Sequence, residues 1–427
     1  MSFLSSLMPP VCFHRISRFT TPIFGLLLLM LGVPVEAAPF TVNTLNDSGT
    51  GSLREAINQA NASGTVDTIT FSVSGTITLA STLPAITDAA GLTIDGAGQT
   101  ITISGNHAVR VMVVVSGATL TLEHLTVMNG RAVNHSGGIY NAGTLNLSNC
   151  TFSGNSVFSG NSFTNGGGGI VNTGTLNISN STFSGNSANY GGSIDNAGTL
   201  NIRNSTFSGN SATVYGGGSI YNGGTLNLSN STFSGNSASY GGGIENGGTL
   251  NLSNSTFSGN SANFGGGIYN IGTLNLGNTI LANSTSGNDC VNSNGTVNPA
   301  GVNLVETGDC VNPGPGILTA DPKLRPLANH GGSTKTMALL AGSPAIDAAD
   351  NALCVVDPVN NLDQRGATRP YGLRCDIGAY EYGAIASDLA ETTTAIPTLS
   401  EWSLLLLSGL LSLVIVLTLR RSPNRLT

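Results

Sequence analysis

The chain has 427 residues and carries 58 glycines against 15 basic and 22 acidic residues, far from ordinary globular usage, in which Gly is about 7% and charged residues about 25%. With 40% hydrophobic residues it is also too apolar for a disordered chain. A net charge of −7, with few lysines, leaves no basic stripe to neutralise phosphates and excludes nucleic acid as a partner class. In chain order the first element is 1–38, where His14, Arg15 and Arg18 precede an apolar run from Ile23 to Val33 and Val35-Glu36-Ala37-Ala38 supplies small residues for cleavage. This is the pattern of a secretory signal peptide, because the run is much shorter than the ~20 residues of a membrane span.

Residues 39–116 read as an N-terminal cap and the first strands. Ser52-Leu53-Arg54-Glu55-Ala56-Ile57-Asn58-Gln59-Ala60 puts Leu53, Ala56, Ile57 and Ala60 on one helical face behind a Ser52/Glu55 capping box. Leu92-Thr93-Ile94-Asp95-Gly96 and Thr100-Ile101-Thr102-Ile103 alternate as strands do. The helical run resembles the Ser-Leu-Arg-Glu-Ala domain found in front of β-helices, which implies that it covers the open end of the first coil. Gly51 stands where that domain often has a cysteine, so no disulfide is expected there.

From 117 to 284 the sequence repeats with a period of about 24 residues. One unit runs Gly223-Gly224-Thr225-Leu226-Asn227-Leu228-Ser229-Asn230-Ser231-Thr232-Phe233-Ser234-Gly235-Asn236 and closes on Gly241-Gly242-Gly243-Ile244-Glu245-Asn246. Leu226/Leu228, Ser231/Phe233 and Ile244/Asn246 alternate with period two between Gly, Ser and Asn turns, which predicts three strands per coil. One coil cannot bury its inward face alone, but stacked coils can. The expected fold is therefore all-β, a right-handed parallel β-helix of about eleven coils, roughly 50 Å long at about 4.8 Å per layer.

Phe152, Phe183, Phe207, Phe233 and Phe257 are expected to stack inside, and Asn172, Asn196, Asn222, Asn246 and Asn270 to form an amide ladder. The residue before each Asn varies (Val171, Asp195, Tyr221, Glu245, Tyr269), as a solvent-facing side chain would. Leucine-rich repeats share the period, but the Gly-Gly-Gly half of each unit is poor helix material, and calcium-binding rolls need a recurring Asp that is missing. Phe183-Ser184-Gly185-Asn186 with Gly241-Gly242-Gly243-Ile244 resembles the repeat of polymorphic outer-membrane proteins and adhesins, a resemblance that speaks to architecture rather than activity.

Beyond Ser284 the rhythm stops, and 285–383 reads as a C-terminal cap. Leu327-Ala328-Asn329-His330-Gly331-Gly332, Gly342-Ser343-Pro344-Ala345-Ile346-Asp347, Asp363-Gln364-Arg365-Gly366 and Asp376-Ile377-Gly378-Ala379-Tyr380-Glu381 follow in order. Together they resemble the bacterial choice-of-anchor domain. Asp363, Arg365 and Asp376 are candidate ion-pair members. Five cysteines remain once Cys12 leaves with the signal peptide: Cys290 with Cys310 and Cys354 with Cys375 are the natural local disulfides, and Cys150, at the place of Ser181, Ser205, Ser231 and Ser255, is expected as a buried free thiol.

A linker at 384–395 leads to the tail at 396–427. Ser403 to Leu419 is an uncharged run, about 26 Å long as a helix, followed by Arg420 and Arg421, and can just span a bilayer. Ahead of it stand Ile396, Pro397, Thr398, Leu399 and Trp402. Motif, apolar helix and basic end resemble the IPTL-type sorting signal of bacterial surface proteins, which implies an exosortase-class sorting enzyme as a partner and delivery to the cell surface.

β-Helices include polysaccharide-cleaving enzymes, which need paired carboxylates or carboxylate-bound Ca²⁺. From Ala142 to Ser284 the charged residues are Asp195, Arg203 and Glu245. Asp195 and Glu245 occupy one site two units apart, about 10 Å, at the edge of the inverting-glycosidase range of roughly 6.5–9.5 Å; isolated surface charges are the plainer reading. Asp95 before Gly96 reads as a turn cap, and His107, His124 and His135, with only Glu123 beside them, make a poor metal set. The expectation is an exported, membrane-anchored, non-enzymatic β-helix, adhesin-like or a matrix component, touching extracellular polysaccharide or cell surfaces, with no cofactor or metal. A polysaccharide lyase or glycosidase is the alternative, and a spacer or coat protein the third reading.

Overall fold

A computed structural model describes residues 40–157, 166–310 and 316–386. The expected signal peptide, the sorting residues Ile396 to Trp402, the expected spanning helix 403–419 and the Arg420-Arg421 end lie outside the described residues. Among the described residues no helix is long and apolar enough to cross a membrane.

The described chain winds into a parallel β-solenoid of about ten turns with about 24 residues per turn. Sheet A has eleven strands, from Phe40–Val42 to Thr296–Ala300; sheet B has eleven, from Gly75–Thr78 to Ile317–Leu318; and sheet C has eight, from Met112–Val114 to Cys290–Asn292. Within one unit, Thr225–Ser229 lies in sheet A, Thr232–Ser234 in B and Ile244–Asn246 in C, as the alternation predicts. A fourth sheet of four two-residue strands, including Ser187–Ala188, follows sheet B and was not foreseen. Pairing joins equivalent residues, Leu226 with Leu200 and Leu250 for example, so each sequence column becomes a physical column.

The phenylalanines stack with ring planes nearly parallel and centroids 4.9, 4.9, 4.6 and 4.4 Å apart from Phe152 to Phe257, all fully buried. The Asn column is a continuous amide ladder: Asn172 Nδ2 donates to Asn196 Oδ1 at 2.8 Å, and the chain continues through Asn222, Asn246 and Asn270 to Asn292. A second buried ladder, Asn155 to Asn260, donates along the stack and also to a backbone carbonyl of the preceding coil, such as Asn236 to Phe207 O at 3.0 Å. Turns from sheet A into sheet B hold a column of left-handed Asn residues, including Asn180, Asn204, Asn230 and Asn254, a conformation Asn tolerates better than most residues.

Helix Leu53–Ser63 buries Leu53, Ala56, Ile57 and Ala60 against the first strands, as expected. Its cap differs in one detail. Ser52 Oγ accepts from Glu55 N, but the Glu55 carboxylate reaches past Ser52 to the Gly51 N–H at 2.6 Å, because Ser52 N is already bonded to Gly49 O.

The region expected as the C-terminal cap has two parts. Strands Cys290–Asn292, Thr296–Ala300, Asn303–Val305 and Ile317–Leu318 extend the three ladders past the point where the repeat fades. The rest runs back beside earlier coils, where Gln364 bonds Thr206 and Thr232, and Ala379 N donates to Thr256 Oγ1. Cys290–Cys310 and Cys354–Cys375 are disulfides. Arg365 pairs with Asp363 through Nη2 at 2.7 Å and lies over the Tyr380 ring, 3.6 Å from its centroid. Asp376 does not join that pair; it accepts the Asp347 and Tyr382 N–H groups, while the buried Arg369 lies 3.6 Å from Glu381.

Candidate functional site

The outer face of sheet C and the loops leading into it carry a row of aromatic side chains with two acidic groups among them. Register pairs Val171, Asp195, Tyr221, Glu245 and Tyr269 on successive strands. The loop before each Gly-rich turn adds Tyr190, Tyr215, Tyr240 and Phe264, one aromatic per coil. The two rows interleave: Tyr190 meets Tyr221 edge-on at 5.2 Å and Tyr240 meets Tyr269 at 5.1 Å, while Phe264 packs against Tyr240 at 5.7 Å. Tyr240 and Phe264 are 39% and 51% exposed, so the strip presents ring surface to solvent.

Asp195 and Glu245 are not free surface charges, which corrects the solvent-facing reading of this column. Val171 is buried, and both carboxylates are half-buried among the rings. Each sits over a loop glycine: a Cβ at Gly166 would strike the Asp195 carboxylate and the Tyr190 ring, and one at Gly216 would strike the Glu245 carboxylate. Burial pushes Asp195 and Glu245 each up to about 7, because the charged form is poorly solvated there. Burial, then the carboxylates nearby, pushes the Tyr190 and Tyr221 phenols up as well, so they stay protonated donors. Near neutral pH the strip is thus a row of ring faces, phenol O–H groups and carboxyls that are partly neutral. Such a surface can stack on apolar faces and bond hydroxyls, and its carboxyls are poised to donate or accept a proton.

The strip was partly legible. Tyr221 and Tyr269 were visible in the column before Asn, but the loop aromatics were overlooked although each stands directly before a Gly-Gly pair.

The structure also gathers a cluster at the N-terminal end of sheet A. Asp95 pairs in register with Glu123, and the ligand atoms of Asp95, Glu123 and His124 lie within 4.8 Å of one another. Asp95 caps its turn through Ala97 N, as expected, and also receives His124 Nδ1–H at 3.0 Å, while Asn149 Nδ2 donates to His124 Nε2 at 3.3 Å. A metal bound through either ring nitrogen would have to displace the hydrogen bond at that nitrogen. The partnership of Asp95 with His124 was hidden in the sequence by their separation of 29 positions.

Cys150 is buried and free, its Sγ held at 3.3 Å from Ser148 O and Leu122 O, and burial pushes its thiol up to about 12. The serines of its column take the backbone N–H of the coil before, as Ser181 Oγ takes Cys150 N–H.

No curated protein matches this sequence. Among solved structures the chain aligns with the crystal structure of pectate lyase Pel9A at a TM-score of 0.41 and 14% identity, covering 81% of this chain and 97% of that chain. Residues 394–421 match the IPTL-CTERM motif, which implies processing by a sorting enzyme of the exosortase class and suggests an exported protein anchored at the cell surface.

Proposed function

We propose that this chain is a non-enzymatic surface β-helix, adhesin-like or a component of the extracellular matrix, that contacts glycans through the aromatic strip on sheet C. The observation that carries the reading is the interleaving of Tyr190, Tyr221, Tyr240 and Tyr269 with part-exposed ring faces on consecutive coils. Ring faces take the apolar side of a sugar, phenols and carboxyls take its hydroxyls, and repetition along the coils makes weak contacts multivalent. The signal-peptide pattern at 1–38, the choice-of-anchor resemblance of 285–383 and the uncharged apolar run at 403–419 fit the same itinerary of export, display and anchoring.

A second reading, a glycosidase or lyase, is favoured by the two raised carboxyls about 10 Å apart along the strip. One experiment separates the two. The full chain in mild detergent is incubated with bacterial and plant polysaccharides while retention and new reducing ends are followed. Retention without new ends, weakened by Tyr221→Ala, supports the adhesin reading. New ends that vanish in Asp195→Asn or Glu245→Gln would replace it with the enzyme.

A further inference from the structure

Sheet A carries a third amide ladder, on its outer face, that differs in kind from the two inside. Asn177, Asn201, Asn227, Asn251, Asn275 and Asn298 each donate Nδ2–H to the Oδ1 of the same residue one coil earlier, at 2.6–2.8 Å. The series starts at Asn146, which donates to Thr121 Oγ1 at 3.2 Å.

The inner ladder uses both of its N–H donors. Asn222 Nδ2 reaches Asn246 Oδ1, Gly224 O and Thr249 O, and the amides from Asn172 to Asn270 are buried. An Asn amide has two N–H donors and two acceptor lone pairs, and in the outer ladder the neighbouring rungs use one of each. Among the described residues no other partner is present for these amides. Each coil therefore leaves one N–H and one lone pair unspent, repeated about every 4.8 Å.

These groups form the floor of a groove of about 730 Å³ that runs along sheet A and is walled at its C-terminal end by Leu353 and Pro358, beside helix Asn351–Val355. The charged residues lining it are Glu123, Arg203 and Asp357, so most of its length is neutral. We infer that this groove binds a linear, uncharged polysaccharide, laid along the solenoid axis. A hydroxyl both donates and accepts and can rotate, so it can meet the spare N–H and lone pair of a rung in any register. An extended peptide offers fixed N–H and C=O groups at about 3.3 Å per residue, out of step with the rungs. A polyanion finds no recurring cation there.

The inference shares its ligand class with the glycan reading above but rests on a different sheet and different residues. It is tested by affinity electrophoresis of the full chain in mild detergent through gels containing glucomannan, dextran or polygalacturonate. Three variants are compared: Asn201→Ala/Asn227→Ala, which strips two rungs; Ser253→Trp, which fills the groove and leaves every rung in place; and Tyr221→Ala/Tyr240→Ala on sheet C. The expected result is retardation by a neutral polymer, weakened at least tenfold by the first two variants and retained by the third, with polygalacturonate causing less retardation than the neutral gels. Retardation lost only in the tyrosine variant would overturn the groove and keep the strip as the glycan site. Retardation by polygalacturonate alone would overturn the uncharged ligand. No retardation in any gel would overturn the groove and the glycan reading together.

Discussion

Asn222→Ala and Asn227→Ala remove the same atoms from neighbouring positions of one coil and should have very different consequences. Asn222 is fully buried, donates to Asn246 Oδ1 at 2.8 Å and Thr249 O at 3.1 Å, and accepts from Asn196 Nδ2 at 2.8 Å. Truncation removes two strong amide bonds, at about 1 kcal/mol each, and strands the Asn246 oxygen in the interior, at about 1–3 kcal/mol. The expected loss is about 3–5 kcal/mol. Asn227 is half-exposed and has one bond on each side, to Asn201 at 2.8 Å and from Asn251 at 2.7 Å. Water can replace both, so its loss should stay near 0.5 kcal/mol. Urea unfolding followed by circular dichroism reads the difference, and hydrogen exchange shows where it falls. Protection should drop in the coils on either side of Asn222 and persist further away, because each coil is supported by its neighbours alone. Equal losses for the two variants, or a uniform fall in protection along the solenoid, would refute the distinction between buried and half-exposed amides.

Two further outcomes follow from titration and burial. The ordinary values of Asp195 and Glu245 are 3.8 and 4.5, and both are raised to about 7, so the folded chain holds protons that the unfolded chain releases between about pH 4 and 7; stability falls as pH rises through that window and is level above it. Asp195→Asn/Glu245→Gln should raise stability at pH 8 by about 1–2 kcal/mol per site after allowance for partial exposure, leave it unchanged at pH 4, and flatten thermal melting against pH, with Asp376 keeping part of the slope. Cys150, pushed up to about 12, should resist iodoacetamide at pH 8 in the folded chain, as mass spectrometry would show, and Cys150→Ser should change stability by less than about 1 kcal/mol because serine already fills that column in the next coils.

Strand, turn and core columns were legible because a strict period turns sequence position into spatial position. Phe233 and Asn222 could be placed without any fold in hand, and the partners of Cys290 and Cys354 followed from their nearness in the chain. What period-two alternation reports is the face of a strand, not what shares that face. Asp195 and Glu245 lie on the outer face of their strands but are half-buried there, and Tyr190 reaches Asp195 only through the path of a Gly-rich loop, which no strand pattern encodes. For the same reason the Asn of each Leu-Asn-Leu read as ordinary solvent-facing polarity, although stacking brings it to within 2.8 Å of its copy. The pairing of the buried Arg369 with Glu381 in the C-terminal region was missed because nothing periodic marks it.

The identity of register from coil to coil makes length a separable property of this molecule. Excising Gly223–Asn246 would leave Asn222 followed by Gly247 in place of Gly223, and the columns would close with Phe207 facing Phe257 and Asn222 facing Asn270, every ladder one rung shorter and otherwise intact. Duplication would lengthen them by the same rule. Gain or loss of coils is then tolerated whenever it comes in whole units, so the length of the solenoid can be reset without redesigning its interior.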